Sequence, residues 1–162
     1  MNTSHQFRPE YYGMKVSLRS TYGILAAVDL ALQAGTAPIQ AKSIAKRQGI
    51  PARFLEQVLH AMKKAGLVTS LRGAQGGYVL SRKPSELSLA EILEALDGPV
   101  LSVVGLNGAG THKRAAKSEA LLGAVWHRVS TAERNVLEAI TVEELAGQQR
   151  QLEQQRSLMY HI

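Results

Sequence analysis

The sequence predicts a mainly α fold with a small β wing: a winged helix-turn-helix followed by a long C-terminal dimerisation helix. Three observations carry this. Residues 41–65 read as two short helices around a tight turn, Gly49-Ile50-Pro51. Two β-prone runs, Leu67–Leu71 and Tyr78–Ser81, enclose a glycine-rich stretch, Arg72-Gly73-Ala74-Gln75-Gly76-Gly77, which is the pattern of a hairpin. Finally, Leu122, Val125, Val129, Ala132, Val136 and Ala139 alternate steps of three and four, one apolar stripe on a helix long enough to need a partner.

The elements follow in order. Residues 1–13 are polar and aromatic without periodicity and read as an N-terminal extension with no assigned function. The winged domain is expected over 14–98. Its first helix is expected to begin near Ser20 or Thr21 and end by Gln33, burying Ile24, Leu25, Val28 and Leu32, with Lys15 and Arg19 before its start. Pro38-Ile39 suits a short strand beside the hairpin. A helix over Ala41–Gln48 should stop at Gly49, which tolerates a left-handed backbone, and Pro51 has the fixed φ that suits the start of the next. That next helix, Ala52–Ala65, buries Leu55, Val58, Leu59 and Met62. Arg53, Gln57, His60 and Lys64 form a separate polar face without a carboxylate, and Gly66 closes the helix.

After the hairpin, Pro84 leads away, and Ser88-x-x-Glu91 is a capping box opening a helix over Leu89–Asp97. Leu89, Ile92, Leu93 and Leu96 are its core positions, and Gly98-Pro99 ends it. Residues 99–117 read as a long loop with Gly105, Gly108 and Gly110. Loops of that length in a compact domain are functional or disordered, and this one is read as a sensor-type loop. The region 118–162 holds the long helix, expected over Ser118–Ala139 and on the order of 33 Å long. A second capping box, Thr141-x-x-Glu144, starts a last helix running toward Leu152, with a glutamine-rich tail.

Composition narrows the function. The 162 residues are 45% apolar, enough for a core, and contain no apolar run of about 18 residues that would span a membrane. The N-terminus has no apolar signal core, so a cytoplasmic address is expected. There is no cysteine, hence no disulfide, thiol nucleophile or thiolate ligand. The net charge is +6, and its distribution is more telling. Residues 42–83 carry nine basic side chains against one acid, Glu56, a net of +8, while the rest of the chain carries ten against twelve. All of the basic excess lies inside the helix-turn-helix and wing, as expected of a surface that meets phosphates.

The chemistry of individual residues fits double-stranded DNA. Arg53 and Gln57 stand in the first turns of the second helix of the motif, the part that enters the major groove. Arginine donates bidentately to guanine and glutamine pairs with adenine. Ala52 and Phe54 flank them within reach of a thymine methyl, although Phe54 reads first as partial core. Glu56 reads as ordering its basic neighbours. Lys42 sits on the helix that crosses the backbone, placing it for a phosphate. Arg72, with Gly73 after it, stands at the wing tip, and an arginine there suits a narrow, strongly negative minor groove. Gly76-Gly77 has neither a following helix nor a GK[ST] and is not a nucleotide cradle.

The combination Ala45-x-x-Gln48-Gly49-Ile50, Phe54-Leu55-Glu56-Gln57, Leu67-Val68 and Arg72-Gly73-x-x-Gly76-Gly77-Tyr78 resembles the Rrf2 family of bacterial winged-helix regulators. The likeness runs from Met14 to about residue 147. It implies a transcription regulator, by default a repressor, working as a homodimer on a pseudo-palindromic operator. It also implies that the long helix pairs with its copy, that Arg72 is a DNA contact, and that Arg19 and Thr21 approach the DNA backbone at the start of the first helix. Helix N-termini favour phosphate on physical grounds.

The resemblance also marks a departure. Iron–sulfur members of the family hold a cluster on three cysteines before the long helix, whereas this chain has Ala120 where a cysteine would sit and Gly123 where a histidine would. Such clusters need thiolates, so no iron–sulfur cofactor is expected. His60, His112 and His127 lack metal-ligand spacing, so no metal site is expected. A small effector or a protein partner is the alternative source of a signal. The second reading of the whole chain is a winged helix used as a protein-interaction module. An enzyme is not expected, because no nucleophile–base pair, acidic dyad or phosphate loop is present.

Overall fold

The computed structural model describes residues 16–35, 37–98 and 113–160, with side chains from residue 121 to residue 159 in the last segment. The extension 1–13, Met14, Lys15, His112 and the 99–112 part of the expected loop lie outside the described residues. Six helices and one hairpin follow in order: α1 Leu18–Leu32, α2 Ala41–Gln48, α3 Ala52–Lys64, β1 Val68–Leu71, β2 Gly77–Leu80, a 3-10 turn Pro84–Glu86, α4 Leu89–Asp97, α5 Lys113–Ala139 and α6 Val142–Tyr160.

Helix α1 is the centre of the domain. It packs against α2, α3, α4, α6 and β2. It buries Ala26, Ala27, Val28, Leu30 and Ala31, whereas Ile24, Leu25 and Leu32 are only half-buried. Small alanines let four helices approach one rod, so the buried surface is wider than a stripe of large side chains suggests. Gly23 serves the same purpose, because a Cβ there would collide with the Leu96 side chain of α4. The helix starts at Leu18, earlier than expected. Ser17 is its N-cap, accepting from the Ser20 backbone N–H at 3.0 Å. The Asp97 carboxylate accepts from the Ser17 hydroxyl at 2.5 Å, tying the start of α1 to the end of α4.

Helices α2 and α3 form as read. Gly49 takes φ 64° and ends α2. Pro51 is the N-cap of α3 rather than its first helical residue. Leu55, Val58, Leu59 and Met62 are buried, so the opposite face of α3 is left to solvent. The wing is a two-stranded antiparallel hairpin pairing Val68 with Leu80 through Leu71 with Gly77. Ile39 adds one bridge to Tyr78, through reciprocal backbone bonds of 2.9 and 2.8 Å, so the short strand at Pro38-Ile39 is a single rung.

Both capping boxes were tested by the geometry. Ser88 and Glu91 form the complete reciprocal box. At Thr141 only half forms: its hydroxyl accepts from the Glu144 backbone N–H, while the Glu144 carboxylate takes the Gln148 amide instead. Two boundaries differ from expectation. Helix α5 begins at Lys113, so 113–117 are helical rather than loop, and α6 runs on to Tyr160, well past Leu152. The chain also returns after α5. Val142 and Ala146 of α6 are buried in the main core, and a bridge joins Ser88 to Thr141. Among the described side chains of α5, Ser130 and Leu137 are buried, and Arg134 pairs with Glu94 of α4 at 2.8 Å.

Candidate nucleic-acid interface

The outer face of α3 is the centre of the site. Its apolar face is locked into the core, which points Arg53, Glu56, Gln57, His60 and Lys64 outward, all exposed. Together with Arg19 from the start of α1 and the edge of Phe54 they line an open groove of about 730 Å³. Phe54 is half-buried and meets the Tyr22 ring edge-on, centroids 5.4 Å apart. It therefore packs as partial core and shows only part of its ring to the groove. Ala52 is exposed at the first position of α3. Glu56 has no ion-pair partner among the described residues, so the structure does not show it ordering basic neighbours.

The other candidate contacts lie on separate elements. Lys42 is exposed on α2. Thr21 is exposed, but its hydroxyl already donates to the Ser17 carbonyl at 3.0 Å. Arg72 is exposed at the start of the wing loop, and Gly73 takes φ 110°, a backbone that only glycine adopts without strain. The other wing glycines have a different reason. A Cβ at Gly76 would strike the Leu71 carbonyl, and one at Gly77 would stand 2.5 Å from the Ile39 carbonyl. Those two glycines let the chain pack on itself, which fixes where Arg72 is presented.

The charge cluster is smaller than the count of residues suggests. Arg47 turns inward to Asp29, a carboxylate only 2% exposed in the middle of α1. Its Nε and Nη2 donate to the two carboxylate oxygens at 2.9 and 2.6 Å, and the Gln48 amide donates at 3.0 Å. Hydrogen bonding to Asp29 raises the Arg47 pKa above its ordinary value; burial opposes it, and a weaker Coulombic attraction to Asp29 adds to the rise. Arg82 likewise pairs with Glu91 at 2.6 Å. Its guanidinium and the Ser88 N–H together hold the Glu91 carboxyl below the usual range, outweighing the upward push of burial. Lys42, Lys46, Arg53, Lys63, Lys64, Arg72 and Lys83 remain without an ion-pair partner among the described residues.

A scan of family models matches residues 16–148 to Rrf2, described as an iron-dependent transcriptional regulator. The chain belongs to the Rrf2 family. Its Rrf2 relatives include the HTH-type transcriptional regulator CymR of Bacillus subtilis, 35% identical over 134 residues that cover 83% of this chain and 91% of CymR. The HTH-type transcriptional regulator IscR of Photorhabdus laumondii is 33% identical over 140 residues, 86% of this chain and 84% of IscR. The solved structure of CymR, the global cysteine regulator of B. subtilis, aligns with a TM-score of 0.68, covering 83% of this chain and 98% of that one. This Rrf2 protein is thus a DNA-binding transcription regulator with a winged helix, not an enzyme.

The family's description names iron dependence. A cluster needs thiolates, and the sequence has no cysteine. Among the described residues no group of three or more His, Asp or Glu side chains could hold a metal ion. None of the described helices is long and apolar enough to cross a membrane.

Proposed function

We propose that the protein is a cytoplasmic, homodimeric repressor that reads a pseudo-palindromic operator without an iron–sulfur cluster. Each α3 enters a major groove, where Arg53 and Gln57 read base edges, and each wing sets Arg72 against a flanking minor groove. Ala52 and Phe54 border the base-reading end, Gly73 lets the wing loop approach closely, and Lys42 and Arg19 take backbone phosphates; Thr21 joins them only by releasing its hydroxyl from the Ser17 carbonyl. The observation that carries this reading is the outer face of α3: Arg53 and Gln57 are exposed and uncompensated on a helix whose other face is locked into the core. A signal, where one acts, comes from a small effector or a protein partner, because the thiolates of a cluster are missing.

Dimerisation is supported by the stripe on α5. Leu121, Leu122, Val125, Trp126, Val129 and Val136 are all exposed, Trp126 by 49%. Burying a large side chain of this kind contributes roughly 1.5–3 kcal/mol, so six on one helix favour a second copy. Trp126→Glu should convert the protein from dimer to monomer in sedimentation velocity. An unchanged sedimentation coefficient would place the dimer contact elsewhere.

Selection of genomic DNA fragments by the purified protein tests the main reading. The wild type should enrich one palindromic motif. Arg53→Ala should relax one position in each half-site, costing roughly 1–3 kcal/mol of discrimination there. Arg72→Ala should weaken binding with the major-groove motif intact. Binding without any enriched motif would favour the protein-interaction reading instead.

A further inference from the structure

The groove along α3 is longer than base reading requires. Arg53 and Gln57 occupy its N-terminal half, and one to two turns further His60 and Lys64 continue the same exposed face. From Arg53 to Lys64 the helix rises roughly 16 Å. That is about the length of five base steps of one strand. A straight helix crossing a curved groove does not keep its whole length at the base edges, so its far end meets the backbone. Arg19, from a different helix, lines the same groove. Neither Lys64 nor Arg19 has an ion-pair partner among the described residues. The one acid on the groove, Glu56, stands about one turn before His60 and about two before Lys64.

We infer that His60 and Lys64 form a phosphate grip at the C-terminal half of α3, separate from the base-reading end. This inference rests on α3 being the recognition helix. The two ends then divide the work. Arg53 and Gln57 determine which sequence is bound, and the grip sets how tightly any duplex is held and at what angle α3 lies in the groove. Both side chains are exposed and neither takes part in the core, so their removal leaves the fold intact.

The experiment compares five proteins (wild type, Lys64→Ala, Lys64→Arg, His60→Ala and Arg53→Ala) on the selected operator duplex and on a scrambled duplex, across a series of salt concentrations. Lys64→Ala should weaken both duplexes equally, about 3- to 10-fold near 100 mM salt, and flatten the slope of log K against log salt by about 0.9 per protomer. Lys64→Arg should restore the slope. His60→Ala should also weaken both duplexes equally, with a smaller change in slope. Arg53→Ala should lower the ratio between operator and scrambled duplex. The grip is overturned if Lys64→Ala and His60→Ala leave affinity and slope unchanged while Arg53→Ala still loses selectivity. It is equally overturned if Lys64→Ala changes the preferred sequence, which would make Lys64 a base reader. If all three alanine variants bind both duplexes like the wild type, the assignment of α3 as the recognition helix itself fails.

Discussion

Arg47→Met should lower the unfolding free energy by about 3 kcal/mol, because it strands the Asp29 carboxylate inside the core. The asymmetry of the pair decides the size. Asp29 is 2% exposed and keeps only the Gln48 amide when Arg47 is replaced, whereas Arg47 is 40% exposed and regains hydration if its partner is lost. Asp29→Asn should therefore cost less than Arg47→Met. The double variant should cost less than the sum of the two, since the stranded charge is then gone. Urea denaturation of the four proteins measures this cycle. A cost below about 0.5 kcal/mol for Arg47→Met would mean that the pair behaves as a surface ion pair. DNA affinity should fall with stability here. Arg47 and Gln48 are the last residues of α2, directly before the Gly49 turn, so the carboxylate fixes the hinge from which α3 is presented.

Gly77→Ala should be nearly as damaging, for a steric reason. The new methyl would stand 2.5 Å from the carbonyl carbon and oxygen of Ile39, backbone atoms that cannot rotate away. The strand must shift, and both backbone bonds between Ile39 and Tyr78 are then lost. Overpacking and two broken bonds together cost about 3 kcal/mol. Gly73→Ala should cost less, about 1–2 kcal/mol, because the space around it is open and only its positive φ is strained. Thermal melts should rank the variants in that order, with Gly77→Ala lowest. In DNA binding both should lose the contribution of the wing, and Gly73→Ala should do so while most of its stability is retained. A Gly77→Ala protein that melts like the wild type would show that the Ile39–Tyr78 rung does not hold the wing.

The helix-turn-helix and wing were legible because local signals agree there. Gly49 ends one helix, Leu55, Val58, Leu59 and Met62 give α3 its buried face, and the two β-prone runs flank glycines. The rest was hidden by long-range packing. Nothing in the periodicity of α1 marks it as the central rod, since its buried positions are mainly alanines rather than large side chains. Asp29 was the one visible clue, a lone carboxylate in the apolar run Leu25–Leu32, but its partners lie 18 and 19 residues away. The same pairing removed Arg47 from the basic surface that a count of charges assigns to DNA. Gly76-Gly77 is no nucleotide cradle by its sequence context, but that context does not reveal what the two glycines are for, a close approach to Leu71 and Ile39 of the same chain. The return of α6 to the core escaped as well, because Val142 and Ala146 belong to a short apolar patch at the head of a polar helix. Helix α5 starts five residues before the expected Ser118, since its first residues, Lys113-Arg114-Ala115-Ala116-Lys117, favour helix without carrying large apolar side chains.

The central claim is that Arg53 reads a base edge in the major groove, once per protomer. Guanine-N7 methylation interference on the selected operator duplex tests it most directly. The account predicts two symmetric guanines whose methylation blocks binding, about one helical turn or a multiple of it apart. Both should vanish from the interference pattern of Arg53→Ala. Interference that persists unchanged in Arg53→Ala, or binding that ignores methylation in the major groove, would contradict it.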